Sequence, residues 1–204
     1  MSSYSDAAKL QRQVASQVID ADAFDKIKNV CAVDVAYDAK KAYCSAVGMS
    51  RAGEHLESVS SMSEIEYPYV PGFLMLREGP PIFLTLKKLK NDYDLILVDG
   101  HGQLHPRRCG IACYVGVKLD KPTIGIAKSL LCGTVKVDGS IALGGQILGK
   151  VIGTGRKKLY VSVGHKVSLA TAVALVTELG KGGNPEVMKQ ADALSKSKKR
   201  ERVD

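Results

Sequence analysis

One run of residues constrains this chain more than any other: Leu95-Ile96-Leu97-Val98, closed by Asp99 and Gly100. Four large apolar side chains in succession do not alternate, so a strand made from them must be covered on both faces. Such a strand needs helices above and below it, which makes the fold a layered α/β one. Residues 123 to 127 form a second run of the same kind. Upstream, residues 30 to 37, 42 to 49 and 55 to 62 read as three strands. Their connections are too short for a crossover, so they form an antiparallel meander. The sum is a mixed sheet, a three-strand meander plus buried strands, flanked by helices.

The helices follow from apolar spacing. Ala7, Leu10, Val14, Val18 and Ala21 place one over residues 1 to 28. Residues 73 to 78 and 81 to 90 read as two more, the second with Pro81 in its first turn. Residues 106 to 117, 169 to 179 and 185 to 194 read as a further three. Residues 149 to 154 and 158 to 163 suit a hairpin turned at Gly155-Arg156-Lys157-Lys158. Two prolines and a glycine keep Tyr67-Pro68-Tyr69-Val70-Pro71-Gly72 irregular.

Composition sets the outer bounds. The chain has 204 residues, 45% apolar and 25% charged, which suits one globular domain over 1–204 with a basic flexible tail from about 196. No apolar stretch approaches the roughly 20 residues of a membrane span. Asp6, Lys9, Arg12 and Asp20 interrupt any secretory signal core in the first turns. Five cysteines make an odd count, which argues against a disulfide framework. We therefore expect a cytoplasmic protein with no membrane contact. Twenty-nine basic residues against 21 acids give a net charge of +8, and a polyanion is the natural partner.

The chemistry concentrates in a few acids. Asp34 sits inside Val33-Asp34-Val35, where a carboxylate is costly to bury unless it is paired or bound to a metal. Asp99 ends the most buried strand, at the carboxyl edge where ligands of α/β sheets gather. Glu78 ends a short helix. Were these three to converge, they would attract Mg2+ or Mn2+, which prefer hard oxygen ligands. Beside Asp99 lie His101, His105, Arg107 and Arg108, residue types that suit phosphate oxygens. His101, His105, Cys109 and Cys113 also recur every four residues, as zinc ligands can, but Pro106 would leave both histidines off the helix face that holds the cysteines. Lys128, just past a buried strand, could hold a phosphate or stabilise a leaving group. Tyr69, set between prolines, is a stiffly presented aromatic fit to stack on a base.

Taken together, these blocks resemble the endonuclease V family, inosine-specific nucleases with a ribonuclease-H-like fold. The resemblance rests on Val33 to Tyr37, on Tyr67 to Leu74 with Arg77-Glu78, and on Val98 to Gly102 with His105 to Gly110. Ile124 to Ser129 and Val161 to His165 extend it over most of the chain. It implies Mg2+-dependent cleavage, with Mn2+ as a substitute, of DNA or RNA containing deaminated adenine. The cut would fall at the second phosphodiester bond 3′ to the lesion, leaving 3′-hydroxyl and 5′-phosphate. On this resemblance Asp34, Glu78, Asp99 and Asp192 are metal-binding acids and Lys128 an active-site lysine. Pro68, Tyr69, Val70 and Pro71 form a wedge, and Gly72, Leu74 and Gly110 a hypoxanthine pocket. His105, Arg107 and Arg108 are expected to contact phosphates. Many relatives carry a histidine where this chain has Tyr114, so no role passes from it. We expect a monomer. Two other readings compete: a less selective ribonuclease-H-like nuclease, and a catalytically silent nucleic-acid-binding module.

Overall fold

The computed structural model describes residues 4–201. The meander forms as expected from β1 (Asn29–Tyr37), β2 (Lys41–Ser50) and β3 (His55–Glu64), paired antiparallel. The apolar run becomes β4 (Leu95–Asp99), which lies parallel to β1 on one side and to β5 (Thr123–Ala127) on the other. Beyond β5 the sheet continues antiparallel through β6 (Thr134–Val135), β7 (Ser140–Leu143), β8 (Gln146–Ile152) and β9 (Leu159–His165). The full order is β3-β2-β1-β4-β5-β9-β8-β7-β6, a mixed nine-strand sheet.

Alternation along the central strands sorts their side chains into two cores. Cys31 and Val33 of β1 join Ile96 and Val98 of β4 on one face, under α1 (Tyr4–Ala15), α2 (Leu74–Leu86) and α3 (Ile111–Leu119). Val30, Ala32, Leu95, Leu97, Ile124 and Ile126 face the other side, under α4 (Leu169–Gly180) and α5 (Glu186–Arg200). Leu95 and Leu97 are fully buried, each worth about 1.5–3 kcal/mol of transfer free energy. The same parity carries a functional consequence. Asp34 lies two residues after Ala32 and Asp99 two after Leu97, so both acids point to the α5 side. Val33 pairs with Val98, which sets the two acids side by side.

The structure departs from the sequence expectation in several places. The first helix ends at Ala15 rather than near 28. Residues beyond it bond instead to the β9–α4 turn: Ile19 N–H donates to His165 Nδ1, and the Ser168 N–H donates to Asp22. The two helices expected at 73 to 90 are one, running through Pro80 and Pro81. Each proline removes one helical N–H donor. A buried face of Met75, Gly79, Ile82 and Thr85 holds the helix together regardless, and the Thr85 hydroxyl donates to the Pro81 carbonyl. Helix α3 starts at Ile111, five residues after Pro106, because the intervening backbone turns to bond the 101–105 loop: Arg108 N–H donates to His105 O and Gly110 N–H to Gly102 O. Strands β6 and β7 were not foreseen, being short and separated by glycine turns. Helix α5 continues to Arg200, past the expected start of a flexible tail at 196. Its basic last turn complements the helix dipole, and Lys196 pairs with Asp192 one turn back. Among the described residues no helix is long and apolar enough to cross a membrane.

Candidate active site

At the carboxyl ends of β1, β4 and β5 lies a cavity of about 530 Å3. Asp34, Glu78, Asp99 and Lys128 line it, as do Tyr69, Pro71, Gly72, Leu74, His105 and Gly110. Asp192 reaches the same place from α5. Asp34, Asp99 and Asp192 each offer a carboxylate oxygen within 4.8 Å of the others, three hard donors able to hold one metal ion. Among the described residues no other histidine, cysteine, aspartate and glutamate group gathers this way. The four residues with zinc-like spacing do not: His101 Nε2 bonds the Ser129 carbonyl, while Cys109 and Cys113 are buried in an apolar cluster.

The electrostatics are those of crowded acids. Asp34 is 7% exposed, and its pKa is pushed up to about 6, by burial first and by the neighbouring Asp99 carboxylate against an opposing hydrogen bond from Ser195. Lys128 Nζ lies 2.7 Å from Asp99 and 3.1 Å from Asp192. These two carboxylates hold the Lys128 ammonium well above its usual range, outweighing the effect of burial. Burial tends to raise Asp192, yet Lys196 at 2.6 Å and Lys128 bring it below its ordinary value. Glu78 stands outside the close trio. It comes from α2 on the opposite side of the sheet, and burial with the charges of Asp99 and Asp34 pushes its pKa up to about 8. Arg77, next to it, lies 4.2 Å over the Tyr37 ring.

The irregular segment ahead of α2 forms one rim. Tyr69 is 63% exposed there, between Pro68 and Val70-Pro71, and does not pack under the loop. Gly72 takes a positive φ of 79°, a conformation that favours glycine. Its carbonyl accepts from Arg107 Nη2 at 2.6 Å, from Gln11 Nε2 at 3.0 Å and from His105 Nε2 at 3.1 Å. The Arg107 N–H donates to His105 Nδ1, so the Nε2 of a neutral His105 carries the proton. Burial and Arg107 push the His105 pKa down to about 4, which keeps the ring neutral. Arg107 also lies 4.2 Å over the Phe73 ring, and Arg108 Nη2 donates to the Leu143 carbonyl. The three residues expected at phosphates thus spend donors on the protein's own backbone. Gly110 lines the same cavity as Gly72; a Cβ there would stand 2.1 Å from the His101 carbonyl oxygen.

Two buried polar residues at the site escaped the sequence reading. Ser195 follows Asp192 by nearly one turn and donates to Asp34. Gln11 sits in the buried stripe of α1 with Ala7 and Val14; a polar residue on that stripe was the available signal.

Comparison with known proteins agrees with this geometry. The sequence profile of endonuclease V matches residues 12–193. An endonuclease V of Roseiflexus castenholzii is 39% identical over 201 residues, 93% of this chain and 90% of that one. The crystal structure of the Streptomyces avermitilis endonuclease V superposes with a TM-score of 0.91 at 30% identity, covering 100% of this chain and 96% of that one. A Ciona intestinalis endonuclease V, in complex with a 24mer DNA containing an inosine followed by a ribo-adenosine, gives 0.84 at 25% identity over 97% and 98% of the chains. The shared sheet and this extent of identity place the chain in the endonuclease V family, as a nuclease acting on phosphodiester bonds.

Proposed function

We propose that this chain is a divalent-metal-dependent endonuclease that cuts nucleic-acid strands at deaminated adenine. The observation that carries the reading is the convergence of Asp34, Asp99 and Asp192 beside Lys128, on the floor of a cavity whose rim presents Tyr69. The Ciona relative bound to inosine-containing DNA supports the substrate class. An all-carboxylate donor set suits Mg2+, with Mn2+ as an alternative. Asp34, Asp99 and Asp192 would hold the ion, with Glu78 close by. Bound there, it would supply Lewis-acid charge to the reacting phosphate.

The protein's own residues divide the remaining work. Water attacks phosphorus and gives up a proton to solvent as the bond to the 3′ oxygen breaks, and that oxygen takes up a proton in exchange, leaving 3′-hydroxyl and 5′-phosphate. The Lys128 ammonium opposes the negative charge that develops on the phosphate oxygens. Tyr69, held stiffly by Pro68 and Pro71, fills the stack from which the lesion is extruded, and Val70 completes that wedge. Extrusion costs a few kcal/mol, less for a weakly paired inosine. Gly72, Leu74 and Gly110 wall the pocket that receives hypoxanthine. The cut falls at the second phosphodiester bond 3′ to the lesion. Lys189, Lys196, Lys198, Lys199 and Arg200 line α5, the helix that delivers Asp192, and provide backbone attraction. The test is an end-labelled strand with one inosine, incubated with Mg2+. Product length gives the bond cut, and phosphatase sensitivity gives the end groups. Cleavage at scattered positions, or products with 3′-phosphates, would reject this reading.

A further inference from the structure

We infer that Gln11 is a positioning residue for base selection, a cross-brace that sets the width of the pocket between Gly72 and Gly110; this rests on the inosine reading above. Gln11 is 1% exposed and belongs to α1, which brings no other group to the cavity. Its side-chain amide donates twice, to the Gly72 carbonyl at 3.0 Å and to the Cys109 carbonyl at 3.1 Å. Gly72 lies between the Tyr69 segment and α2. Cys109 immediately precedes Gly110. One amide therefore ties the two walls of the pocket together. Its oxygen is used as well, accepting from Arg107 Nε, whose Nη2 bonds the same Gly72 carbonyl.

The arrangement has few alternatives. Asparagine is one methylene short of both carbonyls. Glutamate keeps the oxygen for Arg107 but turns one acceptor oxygen toward the two carbonyls that Nε2 serves. Methionine keeps the volume and loses every bond. Gly72 itself belongs to an irregular segment with no ladder to hold it. Its placement rests on Gln11, Arg107 and His105. Arg107 is in turn oriented by Gln11, so loss of Gln11 loosens two of the three bonds.

A brace of this kind acts before the chemistry. It leaves the acids and Lys128 untouched and governs how well a purine fits between the walls. Single-turnover cleavage at varied enzyme concentration separates the two effects, for matched strands carrying inosine or adenosine. Gln11→Met is expected to raise the half-saturating concentration for the inosine strand about tenfold, roughly the worth of one buried hydrogen bond. The plateau rate should stay, as should competition by the adenosine strand. Gln11→Glu should behave alike, and amide hydrogen exchange over residues 68–76 should quicken in both. Gln11→Asn, still an amide but one methylene short of both carbonyls, provides a second route to the same phenotype should the other two variants fold poorly. Equal weakening for both strands, a lower plateau at unchanged half-saturation, or unchanged exchange over 68–76 would each overturn the brace. A wild-type chain that cuts both strands alike would instead reject the inosine reading, leaving the exchange result to judge the brace.

Discussion

Acid should loosen the Tyr69 rim through one histidine. His105 is 3% exposed, and burial with the adjacent Arg107 lowers its pKa from the ordinary 6.5 to about 4. In the unfolded chain the ring takes a proton near pH 6.5; in the folded one it refuses until about pH 4. Between those values protons bind the unfolded chain selectively, so acid favours unfolding. The contribution is whole above pH 6.5 and is lost as pH falls to about 4. A gap of about 2.5 pH units, at about 1.4 kcal/mol each, makes the loss about 3.5 kcal/mol. For a chain of this size that is about 7–14 °C in melting temperature. His105→Gln supplies the control, since its amide can still donate to the Gly72 carbonyl and does not titrate. Melting temperatures of both proteins, measured from pH 7.5 to 4, cancel the carboxylates common to them. The wild type should lose more stability than the variant across that window. Parallel curves would refute the argument that His105 is held neutral.

Three further substitutions probe the acids, the lysine and the rim. Asp34→Asn should cut the Mg2+-dependent rate by more than about a hundredfold, beyond what loss of an outer partner costs a metal site; its metal-free melting temperature should not fall, because one crowded charge is removed, and near-normal turnover would sink the metal assignment. Lys128→Ala should slow the single-turnover plateau by about 10²-fold while barely changing the dissociation constant, and the reverse pattern would make Lys128 a backbone contact. Tyr69→Ala should weaken binding to inosine strands by about 1–3 kcal/mol and reduce discrimination, with melting temperature unchanged because the ring is exposed. Equal loss for inosine and adenosine strands, or a large fall in melting temperature, would reject the wedge.

What the sequence revealed of the site depended on how far apart in the chain the partners lie. Leu95 to Val98 and Thr123 to Ala127 announced central strands because burial on both faces leaves no polar alternation. Asp34 stood out against its own apolar neighbours, but its place beside Asp99 depended on β1 and β4 being neighbours, which the structure supplies. Glu78 was legible as an acid at the same cavity but not as standing outside the close trio, since that depends on α2 crossing the opposite face. The backbone contacts of His105, Arg107 and Arg108 were not legible, because donors suited to phosphate oxygens suit carbonyl oxygens equally well, and only the fold brings Gly72 and Leu143 to them. The bonds of Gln11 and Ser195 were hidden for the same reason: their partners lie 98 and 161 residues away, although a polar residue on the apolar stripe of α1 did mark Gln11. The first helix was overextended because apolar spacing continues after Ala15, while the backbone there is claimed by His165 and the β9–α4 turn.

The central claim is a metal-dependent cut directed by a deaminated base. Its most direct test is single-turnover cleavage of two strands identical but for one inosine in place of adenosine, each with Mg2+ and with a chelator. A single end-labelled product is expected, from the inosine strand with Mg2+ alone, cut at the second bond 3′ to the lesion. Equal cleavage of both strands, or cleavage that survives the chelator, would contradict it.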